Sequence, residues 1–112
     1  MHILNITFSV DPSIEEGFIS YVQQQIIPKL DHNTSLMRIH SDANTHPTFG
    51  LQIQFESATL AHDFKRIELD STYQKLQKYF PNKWVSFETE LEKLTLWKFD
   101  QKSISVSTFW PI

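Results

Sequence analysis

Acid–base or metal chemistry in this chain would have to draw on five histidines, which are His2, His32, His40, His46 and His62. None of them stands with a second ligand at i, i+2 on a predicted strand or i, i+4 on a predicted helix, the spacings that place two donors on one face. A metal site would need residues that only the tertiary fold brings together, and the sequence predicts no metal and no cofactor. The absence of cysteine excludes thiolate ligands, thiol nucleophiles and disulfides.

Arg38 and His40 are the most interesting pair, because they alternate on a predicted strand and so share one face. A histidine enclosed in a cavity could take or give a proton near neutral pH, whereas a strand histidine is more often a half-exposed polar residue. Glu88, Glu90 and Glu92 also share one side of a predicted strand. They could act as acid–base carboxylates, but charge that protects an exposed sheet edge explains them better.

Composition narrows the class of protein. A chain of 112 residues is enough for one domain, and its two glycines cannot build a Gly-rich phosphate loop. Ten basic residues against thirteen acidic ones give a net charge of -3 without a basic stripe, so no nucleic acid partner is expected. No apolar run approaches the ~20 residues that span a bilayer, and the N-terminus lacks the features of a signal peptide. We therefore expect a cytoplasmic protein that does not bind membranes.

The hydrophobic pattern predicts the elements that position these residues. Alternation predicts strands over residues 3–10, 35–41, 48–56 and 83–92, the last with Val85, Phe87, Thr89 and Leu91 facing inward. Asp11 and Pro12 are typical of a helix start, and Pro28 ends or kinks that helix. Residues 57–80 carry two apolar stripes on opposite sides, which predicts a break at 68–71 and a capping box that starts at Ser71.

The predicted order of strand, helix, strand, strand, helix, strand is that of an α+β, ferredoxin-like βαββαβ two-layer sandwich. The right-handed crossover rule then gives an antiparallel four-stranded sheet with the first and third strands in the centre and both helices on one face. The other face is predicted to be polar. Six residues on it are candidates to line a cavity, namely Asn5, Arg38, His40, Gln52, Gln54 and Trp84.

Two interpretations of that polar face stay open. An antiparallel sheet can leave one face in water. Alternatively, two copies of the chain can pack face to face across a twofold axis and enclose a polar cavity, as in a dimeric α/β barrel. A homodimer of this kind is the favoured partner prediction, because it would cover both a face and the sheet edges.

The C-terminal residues 95–112 form an extension to a ferredoxin-like domain at 1–94. Alternation around residues 103–107 predicts an extra C-terminal strand, either an edge strand or an arm that reaches a second subunit. The extension contributes four large aromatic candidates for a dimer interface, which are Trp97, Phe99, Phe109 and Trp110. An uncovered set of this size would favour aggregation, so a partner surface is expected to cover it. The alternative is an ordinary satellite cluster beneath a long C-terminal arm.

Four stretches resemble a family of short bacterial proteins known as domain of unknown function four-two-eight-six: NITFSVDPSIEEGFISYV, IIPKL, TFGLQIQFES and FPNKWVSFETELEKL. The resemblance runs over about residues 2–94 and implies a ferredoxin-like, dimeric α/β barrel fold without an activity. The family commonly has a histidine before the Ile27-Pro28 pair and a basic residue between Phe87 and Thr89. This chain has Ile26 and Glu88 at those places, so it would lack any role that those residues have in relatives.

These observations favour a small cytoplasmic homodimer that serves as a binding or structural module without demonstrable catalysis. The alternative is a cofactor-free small-molecule enzyme, similar to a monooxygenase, that uses the polar cavity between the two sheets. That alternative rests on fold-level analogy and leaves open whether the protein is an enzyme. A cavity that contains Arg38 and His40 would distinguish the two. A small-molecule ligand is a candidate partner beside the homodimer.

Overall fold

The computed structural model describes residues 1–43, 45–95 and 97. Its four strands are β1 (His2–Val10), β2 (Thr34–Arg38), β3 (Thr48–Phe55) and β4 (Trp84–Glu92), and its three α-helices are α1 (Glu15–Tyr21), α2 (Ala58–Ile67) and α3 (Leu69–Tyr79). The predicted C-terminal strand and the interface residues Phe99, Phe109 and Trp110 lie outside the described residues. Trp97 is described and is 69% exposed.

The sheet has the strand order β2-β3-β1-β4 with every neighbouring pair antiparallel. The α+β, ferredoxin-like prediction is therefore confirmed, including the central position of the first and third strands. These two strands alternate most cleanly in apolar character because their helix-facing side is the most fully covered. No helix in the described part of the chain combines the length and the apolar character needed to cross a membrane.

The first helical segment begins where the sequence predicts. The Asp11 carboxylate accepts hydrogen bonds from the backbone N–H and the hydroxyl of Ser13, at 2.9 and 2.6 Å, and these bonds lower the Asp11 pKa. A 3-10 turn at Pro12–Ile14 leads into α1, which continues as a π-helical turn (Val22–Ile26) and a final 3-10 turn (Ile27–Lys29). Pro28 accordingly lies in the last turn, because it cannot continue the hydrogen-bond ladder.

The second helical segment breaks at Glu68, between α2 and α3, within the predicted interval. The Ser57 side chain caps α2 by accepting a hydrogen bond from the Leu60 N–H. The predicted capping box at Ser71 is wrong, because α3 already begins at Leu69. Backbone bonds from Glu68 N to Phe64 O and from Thr72 N to Glu68 O carry the ladder through the break, so no new side-chain cap is needed.

The core lies between the sheet and the helices, with Phe18 of α1 at its centre. Its ring lies 5.2 Å from that of Phe8 and 5.6 Å from that of Phe49, measured between centroids, and Phe80 packs on a third side at 6.1 Å. All four rings are buried. Aromatic pairs at these distances add to the burial of apolar area, so this cluster fixes how the helices sit on the sheet.

The predicted facing of β4 is wrong. The β1–β4 register pairs Trp84 with Val10, Glu88 with Ile6 and Glu90 with Leu4. Directly paired residues point to the same side of an antiparallel sheet, so Trp84 and the glutamates face the helices, and Val85, Phe87 and Leu91 face away. The helices provide the partners that make this arrangement stable, because Lys65, His62 and Tyr73 contact Glu88 and Glu90.

The predicted facing of β2 is also wrong. Arg38 pairs with Phe49 in the β2–β3 register and therefore lies on the helix side. Its guanidinium forms an ion pair with Glu15 of α1 and lies over the Phe49 ring, 5.0 Å from the centroid. An arginine can cover an apolar edge with its stem and still reach water and a carboxylate with its head. Alternation alone does not reveal this placement.

Candidate functional site: the open face of the sheet

The side chains opposite the helices form a surface that we call the open face. The strand registers assign to it Ile3, Asn5, Thr7, Ser9, Ser35, Met37, Thr48, Gly50, Gln52, Gln54, Val85, Phe87, Thr89 and Leu91. None of these fourteen described strand residues carries a charge. The charged side chains of the strands, such as Arg38 and Glu88, all point to the helix side instead. A sheet face that simply meets water usually carries charged side chains, so the composition of this face is unusual.

A row of polar side chains crosses the middle of the open face. The registers place Ser35, Gln52, Asn5 and Thr89 side by side, one from each strand in the order of the sheet. The Asn5 side-chain amide donates to the Thr7 hydroxyl at 3.0 Å. These amides and hydroxyls can donate and accept hydrogen bonds without a net charge, which suits them to an uncharged polar ligand or to the same groups of a second copy.

Gly50 makes room for this row. A Cβ at position 50 would lie 3.2 Å from Asn5 Oδ1 and 3.6 Å from Ile39 Cδ1. A contact of 3.2 Å is tighter than ordinary van der Waals packing, so a side chain here would push the Asn5 carboxamide aside. The glycine therefore lets the Asn5 side-chain oxygen approach β3 closely.

Apolar side chains flank the polar row at both edges of the sheet. On β4, Val85 is 69% exposed and Phe87 is 62% exposed. On the opposite edge, Met37 and the adjacent Ile39 are 41% and 39% exposed. Large apolar side chains around a polar centre are typical of a surface that another molecule covers.

A groove of about 530 Å³ lies at one end of the open face. The hydroxyl groups of Thr7, Ser9 and Thr48 belong to the strands beneath it, and Val85 and Phe87 line one side. The connection between β2 and β3 lines the other side with Ile39, Ser41, Ala43, Thr45 and His46. This volume lies within the range of small-molecule pockets, which are mostly apolar with a few polar groups that orient the ligand.

The structure brings some of the predicted cavity residues together and separates others. Asn5, Gln52 and Gln54 lie on the open face as predicted. Arg38 and Trp84 lie on the helix side, so their predicted placement on the polar face is wrong. His40 is exposed in the connection that follows β2 and does not line the groove.

Trp84 is part of the core boundary, where its ring packs against Phe8 and Tyr73 at centroid distances of 5.8 and 5.9 Å. Its indole nitrogen is buried without a hydrogen-bond partner among the described residues. Val85 and Phe87 lie on the open face although their apolar character predicts inward facing. The signal that could have found them is the requirement that Glu88 and Glu90 reach basic partners on the helices.

The helix side of β4 carries a connected polar network instead of an apolar core. The Tyr73 hydroxyl donates to Glu88 at 2.9 Å, and Lys65 Nζ lies 3.6 Å from both Glu88 and Glu90. Burial is the main cause that raises the Tyr73 pKa, and the bond to Glu88 adds to it. The hydrogen bond from His2 is the main cause that lowers the Glu90 pKa. His2, His62 and Glu90 are also the residues of the described chain that could hold a metal ion.

Comparison with known proteins places the domain in a family. Residues 1–94 match the model described as Domain of unknown function (DUF4286). The chain belongs to this family. This is the family that the sequence resembles, and the match ends where the C-terminal extension was predicted to begin. No protein of curated function matches the chain significantly.

Among solved structures, the chain is similar to a crystal structure of a protein from Thermus thermophilus that is provisionally described as a PII-like signaling protein. The alignment covers 81% of this chain and 87% of that chain, with 14% sequence identity and a TM-score of 0.38. A likeness this distant carries no argument about function.

Proposed function

We propose that this DUF4286 protein is a cytoplasmic homodimer in which two open faces pack against each other, and that the dimer acts as a binding module for a small uncharged molecule. The observation that carries the proposal is the combination of a charge-free face with exposed Val85 and Phe87 at its edge. Charged residues are depleted at the centre of protein interfaces, and aromatic residues are enriched there.

Symmetry strengthens the case for a second copy of this chain as the partner. In a twofold interface the same surface meets itself, so any charge near the axis would meet a like charge. A face without charged side chains avoids this repulsion. The polar row can instead pair with its own copy, because amides and hydroxyls both donate and accept hydrogen bonds.

The size of the face fits a dimer interface. The strands have nine, five, eight and nine residues, so the sheet measures about 26 Å along an average strand and about 19 Å across. Its area is roughly 500 Å² before the relief of the side chains is counted. A stable interface of standard size buries about 800 Å² on each partner. The open face alone therefore supplies most of the required area.

The groove supports a ligand-binding role over an enzymatic one. Its walls offer hydroxyls and apolar side chains, and His46 is the one titratable residue among its described lining residues. The predicted acid–base pair of Arg38 and His40 does not line it. We therefore propose binding of an uncharged, hydrogen-bonding molecule between apolar walls, with no chemical step.

The test is a matched pair of charge insertions. Phe87→Glu places a carboxylate on the open face, and Ile67→Glu places one on the outer surface of α2, where Ile67 is also 62% exposed. We expect the wild type and Ile67→Glu to elute in light-scattering chromatography at twice the 13.2 kDa chain mass, and Phe87→Glu to elute as a monomer. A monomeric wild type, or a dimer that Phe87→Glu leaves intact, would refute the proposed assembly.

Native mass spectrometry of the untagged protein tests the ligand. We expect the dimer to carry a copurifying molecule of low mass that is lost from Phe87→Glu, because the groove would no longer be enclosed. A dimer that carries no ligand under these conditions, and that binds no molecule from an extract of uncharged metabolites, would contradict the binding role. It would not contradict the proposed dimer.

A further inference from the structure

Two histidines and a carboxylate meet on the helix side of β4, away from the open face. His2 is the first residue of β1, His62 lies on α2 and Glu90 lies on β4. The Nε2 atoms of His2 and His62 lie 3.2 and 3.0 Å from the same oxygen, Glu90 Oε1. All three donor atoms lie within 4.8 Å of one another.

The fold explains why these distant residues converge. His2 pairs with Glu92 in the β1–β4 register, so Glu90 is its diagonal neighbour on the same side of the sheet. His62 and Lys65 stand at i, i+3 on α2 and therefore share the helix face that reaches β4. The two imidazole rings meet edge to face with their centroids 6.0 Å apart. No spacing in the sequence shows this arrangement, since each residue comes from a different element.

We propose that His2, His62 and Glu90 bind one divalent transition-metal ion, for which Zn²⁺ is the best match. Two imidazole nitrogens and one carboxylate oxygen are ligands that Zn²⁺ takes in three-residue sites, where water fills the fourth position. Mg²⁺ and Ca²⁺ prefer oxygen ligands and would bind here poorly. The amino-acid sequence alone predicts no metal, because this site depends entirely on tertiary convergence.

The distances suit tetrahedral coordination. With bonds of about 2.0–2.1 Å, neighbouring ligands of a tetrahedral Zn²⁺ lie about 3.3 Å apart. The two observed nitrogen–oxygen distances already come close to this value. His62 is 62% exposed on the surface of α2, so its ring is able to move toward His2 without disturbing the core.

Lys65 holds the carboxylate in a suitable orientation. Its ammonium lies 3.6 Å from Glu90 Oε2, the oxygen that the histidines do not contact, and 3.6 Å from Glu88 Oε1. The ion pair therefore leaves Oε1 for the metal. Two carboxylates against one ammonium also leave the neighbourhood with one net negative charge when both imidazoles are neutral, which favours a dication. A partner that orients a ligand in this way strengthens metal sites generally.

The same distances also fit two ordinary N–H···O hydrogen bonds to Glu90. Titration calorimetry distinguishes these hydrogen bonds from a metal site. The untagged full chain, stripped of metal with a chelator, is titrated with Zn²⁺ and separately with Mg²⁺. We expect one Zn²⁺ per chain and no heat from Mg²⁺. Because loss of a partner outside the ligand shell already costs roughly 10–100-fold in affinity, His62→Gln should weaken Zn²⁺ binding at least about tenfold.

Two further variants complete the design. Glu90→Gln keeps an oxygen that can accept hydrogen bonds from both imidazoles but removes the charge, so it should also weaken Zn²⁺ binding. His40→Gln removes an exposed histidine from the β2–β3 connection, outside the groove, and should leave the affinity unchanged. Circular dichroism of each variant checks that the fold is intact.

Zn²⁺ binding that is equally tight in His62→Gln and the wild type would overturn the proposal. A loss of affinity in His40→Gln as large as that in His62→Gln would also overturn it. Absence of Zn²⁺ binding to the folded wild type would overturn it as well, and would leave the cluster as a hydrogen-bonded contact between β1, α2 and β4. None of these outcomes bears on the open-face dimer, because the two sites lie on opposite sides of the sheet.

Discussion

Truncation of Trp84 and of Phe87 should destabilise this protein in two different ways, because these two residues of β4 point to opposite faces of the sheet. Trp84→Ala removes a half-buried ring from contact with Phe8 and Tyr73. A fully buried Trp costs about 3–5 kcal/mol on truncation. Trp84 is partly exposed, and its truncation also removes a buried N–H without a partner. We therefore expect Trp84→Ala to lower the unfolding free energy by about 2 kcal/mol.

Phe87→Ala should act through the dimer. Of a side chain that offers about 200 Å², 62% is exposed in the single chain, and its burial against a second copy would stabilise each chain by about 3 kcal/mol. Association adds to stability only when the protein is concentrated enough to dimerise. At high dilution we expect the change in unfolding free energy to stay within about 0.5 kcal/mol, the range of surface substitutions.

Urea unfolding followed by far-ultraviolet circular dichroism, at submicromolar and at submillimolar protein, measures both effects. We expect the destabilisation by Trp84→Ala to be the same at both concentrations and that by Phe87→Ala to grow with concentration. A loss for Phe87→Ala that equals that for Trp84→Ala at high dilution would place Phe87 in the core and refute the facing of β4. A loss for Phe87→Ala that is independent of concentration would refute its place in an interface.

Two further predictions concern the helices. Since burial raises the Tyr73 pKa, the unfolded state loses the phenolic proton first, and the unfolding free energy should fall as pH rises above about 10. In Tyr73→Phe this fall should be shallower. Equal pH dependence of the unfolding free energy in the two proteins would contradict the burial of the Tyr73 hydroxyl. Ser57→Ala removes the side chain that caps α2 and should lower the unfolding free energy by about 1 kcal/mol. Ser20→Ala, at an exposed position of α1, should leave it unchanged. Chemical denaturation that finds equal changes in the two variants would argue against the cap.

The sequence predicts the topology well because the central strands obey the simple rule of alternation. Leu4, Ile6 and Phe8 are covered completely by helices, so their pattern reports their facing directly. The break at Glu68 is also predictable, because two apolar stripes on opposite sides cannot face one sheet from one straight helix.

Alternation does not predict which side of an edge strand faces the helices, and most of the candidate site depends on that choice. On β4 the more apolar set, which includes Val85 and Phe87, faces away from the helices, because Glu88 and Glu90 reach Lys65, His62 and Tyr73 only on the helix side. Alternation locates the two faces of such a strand but does not decide which face is covered. That choice depends on partners that lie far away in the chain, as the convergence of His2, His62 and Glu90 also does.

The distance between spin labels on two copies of the chain reports directly which faces meet in the dimer. The chain has no cysteine, so Gln52→Cys labels the centre of the open face and Gln24→Cys labels the exposed helix layer. Packed sheets lie about 10 Å apart, so we expect strong dipolar coupling between labels within about 20 Å at Gln52. We expect weak coupling at Gln24, which would lie on the outside of the dimer. Stronger coupling at Gln24 than at Gln52, or no coupling at either site in concentrated protein, would contradict the open-face dimer.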